Sequence, residues 1–215
     1  KEYDLANIAA RFYPEKEKRI VLGTHYDSKK FADKDKNNPA APMPGANDSA
    51  SGVAVLVEIA KALATATAKP NVGVDVIFFD GEEGEENASA STWRPLGSEY
   101  FVKNLRELYP RNKPIEGIVL DMVCKKGLKL KKELSSLKRA GPQAEKFWNI
   151  GKELYPYIFA DEAQEEIGDD HTSLNSAGIP TFLVIDYDYP SFHTTADTAD
   201  KCGADSLGAV AKTVI

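Results

Sequence analysis

A chain of 215 residues that is 42% hydrophobic and 28% charged is long enough to bury a core, and its composition is ordinary for one globular domain. Its formal net charge of −6 excludes the broad basic surface that nucleic-acid binding needs, and the five lysines between Lys125 and Lys132 read as a solvated face or loop. No apolar run approaches the ~20 residues of a membrane helix, and the start at Lys1 without a Met suggests a trimmed N-terminus that has lost any leader.

In chain order, residues 19–24 (Arg-Ile-Val-Leu-Gly-Thr) form the first predicted strand. A polar, Pro-containing loop follows over 29–45. Residues 49–64 place Val53, Leu56, Ile59 (or Ala60) and Leu63 on one helical face, with Asn47 or Asp48 able to cap it. A second strand is expected over 72–79, then a small polar loop over 84–96 around Trp93, then a helix over 97–109. A third strand covers 117–123. The basic segment 125–140 has no clear periodicity. Helices are expected over 143–155, 171–177 and from 204 onward, with a fourth strand over 181–187. Strands this short, β-branched and apolar on both faces belong in the middle of a sheet covered by helices. The alternation predicts an α/β fold, one domain over 1–215, without repeats or low-complexity linkers. Cys124 and Cys202 are too few for a disulfide framework or a paired metal-ligand motif.

The chemistry lies where these strands end. The first runs into His25-Tyr26-Asp27, the second into Asp80-Gly81-Glu82-Glu83 and the third reaches Asp121, while Phe192-His193 follows the fourth. Asp48 opens a helix. Ligands of open α/β sheets bind outside the carboxyl ends of the strands, so acids and imidazoles gathered there suit a metal. Any one of the three histidines could be a plain polar residue. Together with Asp48, Glu83 and Asp121, they form the mixed imidazole–carboxylate set that favours zinc. Of the adjacent Glu82 and Glu83, one can bind metal while the other faces substrate as a base. Glu85 and Glu86 read as solvated loop residues.

The order His25-Tyr-Asp, Gly45-Ala-Asn-Asp48-Ser, Glu82-Glu83, Gly97-Ser98, Asp121, Asp170-His171 and His193-Thr resembles the zinc exopeptidases of the M28 type, over nearly the whole chain. The resemblance implies an α/β/α sandwich around a mixed, mostly parallel sheet. It also implies a cis peptide at Asp48–Ser49, peptide or protein N-termini as substrates, and a secreted or periplasmic enzyme. Two chemistries occur in the family. The aminopeptidase pattern implies two zinc ions on His25, Asp48, Glu83, Asp121 and His193, with Glu82 activating water. The glutaminyl cyclase pattern implies one zinc on Asp48, Glu83 and His193, with Glu82 as proton shuttle and Asp121 and Asp169 as a hydrogen-bonded acid network.

Several features resemble the cyclases: His25-Tyr-Asp-Ser-Lys29, Phe78-Phe79-Asp80-Gly81-Glu82-Glu83, the long Trp-containing spacer before Gly97-Ser98, and the extra acid in Asp169-Asp170-His171. Asp48-Ser-Ala-Ser-Gly52 and His193-Thr-Thr-Ala-Asp197-Thr resemble the peptidases. Phe192 stands where animal cyclases carry Trp, and their paired cysteines would fall at Thr24 and Val53. The cyclase is the leading reading, the aminopeptidase the alternative, and a degenerate binding module a third. Asp27 is expected to orient His25, and Asp170 and His171 to cap and brace their helix. Trp93 is either a loop anchor or, with Phe192, a wall of the substrate pocket. Asn47-Asp-Ser and Asn87-Ala-Ser match the glycosylation sequon, the first discounted because it abuts the proposed metal site.

Overall fold

The computed structural model describes residues 4–84, 89 and 91–215. Glu85, Glu86 and Asn87 lie outside the described residues. Five strands form the main sheet: β1 (Ile8–Phe12), β2 (Arg19–His25), β3 (Gly73–Phe79), β4 (Glu116–Asp121) and β7 (Thr181–Ile185), in the order β1-β3-β2-β4-β7. Only β1 runs antiparallel to its neighbour; β3, β2, β4 and β7 are mutually parallel. The four parallel strands are those expected from the apolar runs. The third and fourth end earlier than expected, at Asp121 and Ile185, which frees the residues beyond them for the site.

Helices cover both faces. Because side chains alternate along a strand, Leu22, Val74, Val76, Leu120, Phe182 and Val184 pack on one face. There they meet α1 (Ala50–Thr65), α4 (Leu134–Leu154) and α6 (Ala204–Val214) through Leu56, Ile59, Phe147, Trp148 and Val210. Val21, Ile77 and Phe79 point the other way, onto Phe101 and Leu174 of α2 (Leu96–Lys103) and α5 (Asp170–Ser176). The mixed, mostly parallel α/β architecture is as expected.

Local details depart from the sequence reading. β1 is an exposed antiparallel edge strand with weak alternation, so no buried apolar run announces it. The segment 125–140 holds β5 (Leu130–Glu133), paired in parallel with β6 (Phe159–Gln164), and the beginning of α4. α4 therefore starts nine residues before the expected 143. It is bent at Ala140 (φ −138°), where Pro142 opens the second segment and could not continue the first. The expected helix over 97–109 divides at Asn104 into α2 and α3 (Leu105–Leu108). Neither Asn47 nor Asp48 caps α1: Ser49 holds that position without a capping side-chain bond, because the Asn47 amide oxygen accepts from the Cys124 N–H instead.

Two further corrections concern side chains. Cys124 and Cys202 are joined in a disulfide, 78 residues apart in sequence, tying the segment after β4 to the turn before α6. The lysine run is not simply a solvated face: Lys132 is buried beside Glu145 (2.8 Å) and Asp161 (3.6 Å), and Lys125 pairs with buried Asp186 at 2.9 Å. Beneath the sheet's far end, the Arg19 fork grips buried Asp75 (2.7 and 2.8 Å), tying β2 to β3 away from the site.

Candidate metal centre and substrate cleft

Because β2, β3, β4 and β7 are parallel, their carboxyl ends lie along one edge, and the polar residues after them converge there. His25 closes β2, Asp121 closes β4, and Glu82 and Glu83 follow β3 across a turn that Gly81 makes at φ +68°. Two clusters result, sharing Asp48. In one, His25 Nε2 lies 3.2 Å from Asp48 Oδ1 and 3.2 Å from Asp121 Oδ1. In the other, His193 Nε2 lies 3.5 Å from Asp48 Oδ2 and 3.4 Å from Glu83 Oε2. Within each trio the candidate ligand atoms all lie within 4.8 Å of one another.

The scaffold aims these groups by backbone contacts. The Asp197 carboxylate, fully buried, accepts the N–H groups of Asn47 (2.9 Å) and Asp48 (3.1 Å), and is itself held by the Tyr189 hydroxyl at 2.7 Å. The Ser49 hydroxyl donates to the His25 carbonyl at 2.6 Å, and the Asp48–Ser49 peptide is cis, as the resemblance implied. Asp27 does something other than expected: its two oxygens accept the N–H groups of Glu82 (3.1 Å) and Glu83 (3.2 Å). Its approach to His25 Nδ1 is 3.5 Å, and that nitrogen has no hydrogen-bond partner among the described residues. Asp27 thus sets the paired glutamates more directly than the histidine.

A cleft of about 380 Å³ opens onto this edge. Asp48, Glu82, Glu83, Asp121, Asp169 and His193 line it, with Trp93, Tyr187 and Phe192 as its aromatic surface. Trp93 is anchored by its indole N–H, which donates to the Glu82 carbonyl at 2.8 Å, and its ring lines the cleft. A side chain at Gly168 would meet that ring at 2.8 Å, so only glycine admits it. Phe192 stacks against His193 with ring centres 3.9 Å apart. Asp121 makes its hydrogen bond to His25, not the expected one to Asp169. Asp169 caps α5, accepting the Asp170 N–H at 2.5 Å. His171 braces the helices, as expected: its Nε2 meets the Ser135 hydroxyl at 2.9 Å at the start of α4. Asn47 is fully buried, which removes it as a glycosylation acceptor.

So many acids in one buried place cannot all ionise unaided. Burial, with the charges of Glu83 and Asp121, pushes Asp48 up to about 7. Burial also raises Glu82 and Asp169 well above the carboxylate range, with Asp121 adding to the latter. Glu83 moves the other way: burial opposes its charge, but the hydrogen bond and charge of His193 hold it at about 2. For His25, burial disfavours the cation, yet Asp121, Asp27 and Asp48 together raise it well above its usual value. Among the described residues, no hydrogen-bond donor reaches buried Asp48 Oδ2 or Glu83 Oε1. Unmet carboxylate oxygens beside an imidazole nitrogen fit a bound cation such as zinc.

Four residues near the site escaped the sequence reading as contributors: Asp33, Lys34 and Asp35 in the 29–45 loop, and Asp197 in its anchoring role. Asp33 Oδ1 lies 3.1 Å from His193 Nδ1. Charged residues in a polar loop carry no periodic signal, and only the fold brings them to partners 160 positions away.

The model of Peptidase family M28 matches residues 7–215. A glutaminyl-peptide cyclotransferase-like protein of Bos taurus is 26% identical, over 92% of this chain and 55% of its own length. The chain thus spans about half the length of the curated relative it matches. A glutaminyl cyclase of Bacteroides thetaiotaomicron, solved with N-acetylhistamine, is 35% identical with a TM-score of 0.88, covering 98% of this chain and 75% of that one. A leucine aminopeptidase precursor of the same organism is equally similar: 35% identity and a TM-score of 0.87, over 97% and 74%.

Proposed function

The chain belongs to peptidase family M28, and on that footing we propose that it is a zinc-dependent glutaminyl-peptide cyclotransferase, converting N-terminal glutamine of peptides to pyroglutamate and ammonia. Asp48, Glu83 and His193 would hold one zinc ion, which when bound acts as a Lewis acid on the side-chain amide carbonyl. The chain's own residues do the rest. Trp93 and Phe192 flank the glutaminyl side chain and keep water from it. The cleft holds the α-amine against the amide carbon, so the attack is intramolecular and proximity supplies much of the rate. The bond from the α-nitrogen to the amide carbon forms, and the bond from that carbon to the amide nitrogen breaks. Glu82, as its carboxylate for this step, takes the amine proton and returns it to the departing ammonia. Burial raises its affinity for protons, which makes it a stronger base than an ordinary carboxylate. Asp121 and Asp169 supply acceptors for the N–H groups of the substrate.

One observation favours this over a two-zinc aminopeptidase. Of the two trios, the one with His193 has buried carboxylate oxygens with no hydrogen-bond donor among the described residues, whereas in the other His25 Nε2 already bonds Asp121 Oδ1 and pairs with Asp48 Oδ1. His25 Nε2 there already sits between two carboxylate oxygens, at 3.2 Å from each. Glutaminyl and leucyl fluorogenic substrates assayed side by side on one zinc-loaded preparation decide the matter. The expected result is turnover of the glutaminyl substrate with one zinc per chain. Leucyl hydrolysis with two zinc ions would establish the aminopeptidase, and turnover of neither, a binding module.

The same reading takes residues 1–215 as one catalytic domain working outside the cytoplasm. The Cys124–Cys202 disulfide supports that location, because such bonds persist in oxidising compartments. No helix among the described residues is long and apolar enough to cross a membrane.

A further inference from the structure

The loop between β2 and α1 reaches over the segment that carries His193, and three consecutive residues grip it. Asp33 Oδ1 lies 3.1 Å from His193 Nδ1. The Lys34 N–H donates to the His193 carbonyl at 3.1 Å, and the Lys34 ammonium stands 3.8 Å from the centre of the Phe192 ring. Asp35 Oδ2 accepts both the N–H (3.1 Å) and the hydroxyl of Thr195. The grip is itself braced, since Asp35 Oδ1 accepts the N–H groups of Asn37 (2.9 Å) and Asn38 (3.0 Å), and fully buried Ala32 anchors the loop.

His193 has reason to need holding. Its backbone sits at φ +55°, a conformation unusual for a residue other than glycine. Its side chain must also present Nε2, not Nδ1, to Asp48 and Glu83. A carboxylate at Nδ1 fixes the proton there, leaves the Nε2 lone pair free and sets the ring plane. The other charged groups at Asp33 and Glu83 do not compete for that nitrogen: Lys29 lies 3.8 Å from Asp33 Oδ2 and 3.3 Å from Glu83 Oε2.

We propose that Asp33 is a positioning residue for the metal-binding histidine, within a clasp of Asp33, Lys34 and Asp35 that holds both His193 and the Phe192 wall of the cleft. This rests on the reading that His193 is a zinc ligand. It adds a dependence on a loop 160 residues away in sequence, which couples zinc retention to the order of that loop.

The test is zinc affinity by chelator competition, with thermal unfolding of the metal-free protein, for Asp33→Ala, Asp33→Asn, Asp35→Ala and His193→Ala. Asp33→Ala is expected to lose affinity by about 10–100-fold, the range for removing a ligand's outer partner. Asp33→Asn keeps an oxygen acceptor and should retain most of the affinity, and Asp35→Ala should show a smaller loss than Asp33→Ala. The metal-free unfolding midpoint of Asp33→Ala should stay at the parent's, because the Asp33 side chain is 51% exposed. Parent-like zinc affinity in Asp33→Ala overturns the proposal, as does an equal loss in Asp33→Ala and Asp33→Asn accompanied by lower metal-free midpoints. If His193→Ala itself retains parent affinity, the ligand reading fails instead, and the two failures are thereby told apart.

Discussion

Asp170 lies fully buried at the start of α5, beside the acid cluster, and both of its carboxylate oxygens lack a hydrogen-bond partner among the described residues. The Ser98 hydroxyl that approaches it donates instead to the Pro95 carbonyl. Burial, aided by the charges of Asp27 and Asp121 and opposed by His25, pushes Asp170 from 3.8 up to about 7. Between those two values the unfolded chain has already released this proton while the native protein keeps it. Stability therefore falls as pH rises through that window and stays low above it. At 1.36 kcal/mol per pH unit, the interval from 3.8 to about 7 is worth about 4 kcal/mol. This is an upper limit, because Asp48, Glu82 and Asp169 take up part of the repulsion by holding their own protons. Asp170→Asn cannot ionise, so it lacks this pH dependence, whatever fixed cost its amide brings. The assay is thermal unfolding of the metal-free parent and variant from pH 4 to 8. The variant's midpoint should gain on the parent's by up to roughly 8–16 °C across that range, at ~2–4 °C per kcal/mol for a chain of this size. Parallel profiles would refute the claim that Asp170 is forced to hold its proton by burial.

The remaining predictions concern turnover and the cross-link. Glu82→Gln keeps the backbone that Trp93 and Asp27 hold and leaves the proposed ligands in place. Glutaminyl turnover should fall by ~10²–10⁴-fold with zinc content unchanged, as measured by steady-state kinetics and metal analysis; near-parent turnover would remove Glu82 from its role. Replacing Cys124 and Cys202 by Ala opens a cross-link spanning 78 residues. Denaturant unfolding should show a loss of up to about 4.5 kcal/mol, the chain-entropy value for so long a loop. An unchanged midpoint would mean that the bond does not constrain the unfolded chain.

What the residues by themselves determined is the order of the chemistry. Each of the four parallel strands is an apolar run that ends in or just before a His, Asp or Glu, and both features are local, so His25, Glu82, Glu83 and Asp121 could be placed at strand ends without coordinates. The α/β class followed from the same alternation. What only the tertiary structure decided depends on partners that no local pattern encodes. Edge strand β1 becomes a strand because β3 offers it an unpaired ladder, not because of its own alternation. Lys132 looks like every other lysine in its run until the fold seats Glu145 beside it. Asp27 stands two residues from His25, but its oxygens accept from the glutamates more than fifty positions on, whose N–H groups the Gly81 turn leaves unpaired. Cys124 met Cys202, and Asp33 met His193, across 78 and 160 residues of intervening chain. Sequence periodicity reports which face of an element is buried, and therefore where its ends lie. Which side chains meet at those ends is set by the crossovers and loops, whose polar residues are chosen for contacts that exist only once the sheet has assembled.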